Sequence, residues 1–548
     1  MVRSSLLAGA LLVSFGGSFL RSAWQTVVCP WFAEAMEGDV AQTVERVAAG
    51  QPPYVPATAE AIPLAYHPLH YYLAAGWLGA FGNGMAAARA VSALTACWSA
   101  ACVGWWARRK TGSRNAGCVA AALFCVSLRA CDGALFTALP DSTMLAFVLT
   151  GWLLLDSPPG RWREAAAMLC FAAAFWTKQH GALYFGSAVA YAVLLRNNAW
   201  PRLAFVAALA AFGPGVWWAA GRVWPEFRHF TFNVPSGWER KWGASAGRFA
   251  YLAAVEVPFA AALAIATASW RRPSALGWFV GTSCVANLFT MSAAGSSNNH
   301  YIPTVAGLCV LAVVAAQRAA ERPATRLPWL LGGGFVAALG MTAFAARKFP
   351  EHLHAIPLYA PFRAAALGGL AWAIVRRTRP EAAWPAAALA AQFGVALCNP
   401  RIYAGDGGDR SRPALASFGR TVSPDGRTAW IDYGSAPLPS AWGTFGRWPS
   451  WVVLEDVSRA GVGTEDLEPF RAAMRRNPPP RLLSANCDLP EVPGWREFAG
   501  LYGPPEDFGS RYAACRQIAV HWYSDQFHPR YLFHLRKAPE PRGGGASP

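Results

Sequence analysis

Long apolar runs separated by short basic turns are the feature that most constrains this chain. Apolar stretches of about membrane length recur at 5–23, 84–107, 115–130, 141–156, 164–177, 181–196, 203–220, 249–270, 275–292, 301–318, 327–346, 356–375 and 382–398. A helix needs roughly 20 apolar residues to cross about 30 Å of hydrocarbon. The runs therefore predict a mainly α, polytopic transmembrane bundle of about thirteen spans, with residues 66–82 adding a partly embedded helix. Only 14% of the 548 residues are charged against 54% hydrophobic, well under the roughly 25% charged of an average soluble domain. Residues 6–20 have the length of a signal peptide but no small-x-small site follows, so they read as an uncleaved first span.

The positive charge has a positional meaning. With the N-terminus in the cytoplasm, every inside turn is basic: Arg108, Arg109, Lys110 and Arg114; Arg161 and Arg163; Arg196 and Arg202; Arg271 and Arg272; Arg318, Arg322 and Arg326; Arg376, Arg377 and Arg379. This is the positive-inside pattern. It accounts for the net charge of +17 without a polyanion, and no nucleic-acid partner is expected. An odd number of spans puts the C-terminal region outside. The Trp105-Trp106 and Trp217-Trp218 pairs read as interface anchors.

Three units follow: a membrane domain over 1–398 with an acidic outer loop at 24–66, a small α/β extramembrane domain over 399–538, and a disordered tail over 539–548. Strands are expected in "TAWIDY" (428–433), "WVVLEDV" (451–457) and "YLFHL" (531–535). A helix is expected in "TEDLEPFRAAMRRN", with Thr464 as N-cap. Most of the twelve Cys lie in apolar runs and behave as small hydrophobes. Cys487 and Cys515 lie in the polar region, where an oxidising compartment would let them pair.

Polar groups gather on the outer side of this topology. Glu37 and Asp39 lie in the first loop, Asp141 at a span mouth, Lys178, Gln179 and His180 in the turn "TKQHG", and Asn298, Asn299, His300 and Tyr301 in "GSSNNHYIP". A charge at bilayer depth costs about 2.5–3.5 kcal/mol on insertion scales, so several at one leaflet edge suggest a cavity that needs them. Each has a plainer reading: loop acid for Glu37 and Asp39, helix cap for Asp141, snorkelling cation for Lys178, ordinary turn for the asparagines. His67 and His70 share no ligand pattern, so no essential metal and no cofactor are expected.

Four stretches in order carry a family resemblance. They are "EGDVAQTVERVAAGQPPY"; "YHPLHYYLAAGWLGAFGNGMAAARAVS", with its later Arg-x-x-Ser; "LPDSTMLAFVLTGWLLL", like an Arg-Pro-Asp at a span mouth; and "TKQHGALY" with "GSSNNHYIP". Together they resemble the GT-C integral-membrane glycosyltransferases of the protein mannosyltransferase and aminoarabinose transferase-like branch (family 39-like). Met36, Leu139 and His300 depart from the pattern. The resemblance implies a bacterial inner-membrane enzyme that takes a sugar from a polyprenyl-phosphate carrier. It passes the sugar, with inversion, to a glycan, lipid or protein acceptor on the outer face, beside membrane lipid. It implies Asp39 or Glu37 as the base. Lys178, Gln179 and His180 would hold the donor phosphate. Asp141, Tyr66, His67, Tyr71, Asn298, Asn299, His300 and Tyr301 would line the cavity. A transporter is the rival from another class, although its polar groups would sit at broken helices near the midplane; a non-catalytic scaffold is the third.

Overall fold

The computed structural model describes residues 2–28, 36–57, 62–127, 131, 135–158, 160–195, 211–253, 257, 260–261, 274–293, 298–321 and 383–398, the pairs 368–369, 372–373 and 376–377, and in the C-terminal region 428–430, 467–476, 481–484, 496–502, 504, 506–507 and 531–534. The first helices are α1 (Val2–Val28), α2 (Glu37–Ala48), α3 (Leu69–Ala75), α4 (Leu78–Phe81), α5 (Gly84–Thr111), α6 (Arg114–Val126), α7 (Asp141–Leu155), α8 (Arg161–Thr177) and α9 (Gly181–Leu195). Further apolar helices span Ala275–Met291, Ile302–Glu321 and Ala383–Cys398. Among the described residues, three helices are long and apolar enough to cross a membrane: Ser5–Val28, Gly84–Thr111 and Asn299–Ala320. The expected spans at 327–346 and 356–375 lie largely or wholly outside the described residues, as do most of 249–270 and the first part, 203–210, of 203–220.

Local chemistry sets the helix starts. Asn83, Ser113 and Ser274 each accept a hydrogen bond from a backbone N–H three residues on, the bond that satisfies an orphan donor of the first turn. Gly112 adopts φ 70° after α5, a left-handed stop that lacks the Cβ penalty. Small residues then let helices touch. A Cβ on Gly117 would lie 2.8 Å from the Gly104 carbonyl oxygen, and one on Gly104 would lie 3.0 Å from that of Gly117. This reciprocal pair draws α5 and α6 together by backbone approach, a common device in membranes, where apolar lipid removes any hydrophobic drive between helices.

The polar contacts fix the direction of each helix. Ser92 bonds the Leu139 carbonyl, Thr95 meets Thr143, and Arg109 reaches the Leu153 carbonyl, so α5 and α7 run parallel. Arg89 at the start of α5 bonds the Thr26 carbonyl at the end of α1, so those two are antiparallel. Gln317 of Ile302–Glu321 bonds the Thr111 carbonyl. The bundle thus has two distinct ends. One gathers the end of α1, the starts of α5 and α7, the end of α8 and residues 298–301. The other gathers the ends of α5 and α7.

Three expectations need correction. The loop 24–66 contains a helix, α2, with nine of its twelve residues buried; its amphipathic face packs against the bundle. Trp106 is fully buried, and its indole N–H donates to Asp156 at 2.9 Å, so only Trp105 of that pair is exposed. Asp141 is the first residue of α7 and does not cap it; Pro140 holds the cap position.

In the C-terminal region β1 (Thr428–Trp430), β2 (Arg481–Ser484), β3 (Glu506–Asp507) and β4 (Tyr531–His534) form one sheet in the order β1-β2-β4-β3. β1 and β2 are parallel, and β4 is antiparallel to both neighbours. A helix covers Glu468–Arg476. β2 and β3 were not expected from the sequence. Thr464, 451–457, Cys487, Cys515 and the tail 539–548 lie outside the described residues.

Candidate active site

The site end is assembled around the turn that precedes α7. Glu37, on the first turn of α2, receives Arg89 Nε at 2.8 Å and Arg89 Nη2 at 2.5 Å, with both side chains fully buried. It also accepts the Ala138 N–H at 2.7 Å. The fork of a guanidinium matches a carboxylate in this bidentate way. The Ala138 carbonyl in turn receives His70 Nε2–H at 2.8 Å. A carbonyl only accepts, so this bond fixes the tautomer, and His70 Nδ1 accepts from the Thr143 hydroxyl at 3.1 Å. Ala138 therefore joins the carboxylate to the imidazole through its own backbone.

Three residues further on, Asp141 receives Lys178 Nζ on Oδ1 at 2.8 Å and Asn299 Nδ2 on Oδ2 at 3.4 Å. Lys178 is 2% exposed and lies 5.1 Å from the centre of the Tyr66 ring. The Tyr66 carbonyl accepts from the Tyr54 hydroxyl, and the Tyr66 hydroxyl meets Met36 Sδ at 3.7 Å, directly before Glu37. His67 Nδ1–H donates to the Phe175 carbonyl at 2.5 Å. His180 and His300 pack edge to face, 4.8 Å apart. A narrow hollow beside them is lined by Asp141, His180, Asn287, Asn299 and His300, among others.

Burial governs the titration of these groups. It pushes His67 and His70 down to about 4, against weaker opposing backbone bonds to Phe175 and Ala138. His180 is pushed well below its ordinary value, first by burial and then by the positive charge of Lys178 and Arg240 and by His67. All three are neutral at pH 7. Tyr71 is pushed up by burial and, secondarily, by the field of the Asp39 carboxylate. The Tyr71 hydroxyl is buried with no hydrogen-bond partner.

The predicted residues thus fall as follows. Asp141, Lys178 and Asn299 touch, and Tyr66 sits over Lys178. Asp39 and Tyr71 are both buried, and Glu37 is clasped by Arg89. His180 and His300 share one wall of the hollow. Gln179 has its Oε1 buried without a partner, and Tyr301 is buried. Asn298 starts the 3-10 turn Asn298–Tyr301, and its side chain lies outside the described residues. Sequence reasoning gave no role to Arg89, His70, Thr143 or Asn287. The signal available was a lone cation or amide inside an apolar helix, where such groups are costly and seldom idle. Among the described residues, no group of three His, Cys, Asp or Glu is placed to hold a metal ion.

No protein-family model matches this chain, nor does any curated protein sequence. Two solved structures do resemble it. ArnT from Cupriavidus metallidurans bound to undecaprenyl phosphate aligns with TM-score 0.50 and 19% identity, over 86% of this chain and 92% of that one. The same protein in the apo state aligns with TM-score 0.52 and 18% identity, over 87% and 93%. At such identities the likeness shows the fold alone, and that fold is ArnT-like.

Proposed function

We propose that the chain is a membrane glycosyltransferase that moves a sugar from a polyprenyl-phosphate carrier to an acceptor hydroxyl on the outer face of the membrane. The observation that carries this reading is that a buried carboxylate on α2 (Asp39) and a buried lysine after α8 (Lys178) lie at the same end of an ArnT-like fold, their elements tied to the turn before α7 by Glu37 and Asp141. The ArnT structure with undecaprenyl phosphate supports a carrier of that class.

In the proposed reaction Asp39 takes the proton of the acceptor hydroxyl. That oxygen attacks the anomeric carbon from the face opposite the phosphate. The new C–O bond forms as the bond between the anomeric carbon and the phosphate oxygen breaks, and the electron pair leaves with the polyprenyl phosphate. Glu37 is the weaker base candidate, because Arg89 and the Ala138 N–H occupy its oxygens. Lys178 supplies the charge that meets the leaving phosphate, and Asp141 holds its ammonium in place. Fixed charge of this kind is commonly a large share of catalysis. His180 is neutral and offers the phosphate a hydrogen bond only.

The test is Asp39→Asn in purified full-length protein with radiolabelled polyprenyl-phosphate sugars. General-base loss should cost about 10²–10⁴-fold in transfer, while undecaprenyl phosphate still binds. Unchanged transfer by this variant overturns the assignment. Flux of an intact solute through proteoliposomes, with no sugar transfer, would favour a transporter.

A further inference from the structure

The hollow beside the Lys178–Asp141 pair has an unusual balance of polar groups. Asn287 projects from the otherwise apolar helix Ala275–Met291 and is 1% exposed. Its Nδ2 donates to the Thr304 hydroxyl at 3.3 Å. Its Oδ1 is buried and has no partner, and the residue lines the hollow. A buried acceptor left unmade costs about 1–3 kcal/mol, which a donor from a ligand would recover. Thr290, one turn on, and the two imidazoles of His180 and His300 complete the polar wall.

The charges point the same way. Asp141 is the carboxylate in this wall, and both its oxygens are engaged, one by Lys178 and one by Asn299. The fields felt at His180 are those of Lys178 and Arg240, both positive. Among the described residues, an ammonium entering here meets a carboxylate already engaged on both oxygens and the positive charges of Lys178, Arg240 and Arg248. A hydroxyl meets an acceptor in need of a donor. The hollow has room for about one water-sized group, which suits a single hydroxyl of a sugar rather than its ring.

We propose that this hollow, with Asn287 as its acceptor, binds the hydroxyl edge of an uncharged sugar and discriminates against an amino sugar. The inference rests on the glycosyltransferase reading above and names the substrate class of that site. The sugar can belong to the donor or to the acceptor; the chemistry of recognition is the same.

The test is saturation-transfer NMR on the full chain in nanodiscs. Methyl α-mannopyranoside serves as the neutral probe and methyl 4-amino-4-deoxy-arabinopyranoside as the cationic one. Wild type should bind the neutral probe at least about tenfold better, the worth of one hydrogen bond in a dry site. Asn287→Leu should lose about that factor for the neutral probe. Asn287→Asp, which supplies the missing carboxylate, should shift the preference toward the amino sugar. If Asn287→Leu fails to fold, the Asn287→Asp preference decides alone. Equal or better binding of the amino sugar by wild type overturns the inference, as does an unchanged preference in Asn287→Asp. Competition by polyprenyl-phosphate mannose marks the hollow as the donor's, and its absence as the acceptor's; both support the proposal. Undecaprenyl phosphate binding, measured by native mass spectrometry, separates the two readings. Sugar discrimination without lipid binding sinks the transferase alone, and lipid binding without discrimination sinks the hollow alone.

Discussion

Ion pairs hold both ends of the bundle, yet they are built on different terms. At the end where α5 and α7 finish, Lys110 pairs with Asp156 at 2.6 Å, with the lysine side chain 24% exposed. Arg108 and Arg109 lie beside it, and Trp105 is open. At the other end Arg89–Glu37 and Lys178–Asp141 are sealed from solvent. Solvated pairs contribute little, because water screens them and flexible side chains lose entropy in forming them. Sealed pairs are costly to create and costlier to break, because a removed partner leaves a bare charge in a dry interior. The first end therefore reads as an address and an anchor. The second can hold charged groups in fixed positions without solvent to blur them.

The contrast can be broken by substitution. Arg89→Ala should have the largest effect, about 3–5 kcal/mol of stability, because Glu37 would be left buried and unpaired; thermal melting in detergent measures it. Arg89→Ala with Glu37→Gln should recover part of that loss, and no recovery would mean that packing rather than charge is responsible. Acid should act next. His67 and His70 fall to about 4 in the folded chain, below the ordinary 6.5 or so. Between those values the unfolded chain binds protons better, so stability is full above pH 6.5 and declines as pH falls toward 4. The slope is about 1.4 kcal/mol per pH unit for each ring, read from melting temperatures at stepped pH. A His70→Gln variant should lower that slope by about 1.4 kcal/mol per pH unit, the share of one ring.

Gly84→Ala sharpens the comparison differently. A Cβ there would sit 2.3 Å from the Ala41 carbonyl oxygen, forcing α2 off the start of α5. Overpacking of this kind costs about 1–3 kcal/mol. Sugar transfer should fall further than stability, since Glu37 and Asp39 move with α2. Lys110→Ala at the opposite end should change stability by no more than about 1 kcal/mol and leave sugar transfer unaltered. A loss comparable to that of Arg89→Ala would erase the distinction between the two ends.

The sequence disclosed these regions unequally. The helix Asp141–Leu155 was legible because hydropathy and length are properties of a segment alone. The grouping of Asp141, Lys178 and Asn299 followed from alternation of spans, which puts their turns on one side. The clasp of Glu37 did not follow. Its partner Arg89 is 52 residues away, inside an apolar run, and no local pattern pairs a loop acid with it. The helix α2 was read as loop because Gly38, Gly50 and the prolines at 52 and 53 crowd its flanks. Its burial depends on a surface that only the folded bundle provides. Asn287 was passed over because one amide among apolar neighbours leaves the segment's average unchanged.

The double use of Ala138 has a genetic consequence. The acid and the imidazole are linked through main-chain atoms of one alanine, its N–H to Glu37 and its carbonyl to His70. Every amino acid except proline brings that same pair of atoms. Evolution can therefore exchange the methyl group freely, within the space allowed, without severing the connection, and a scan of point mutants would pass over it. Replacing the amide that donates to Glu37 with an ester, by chemical synthesis or nonsense suppression, would cut the thread and leave the side chains on either side intact.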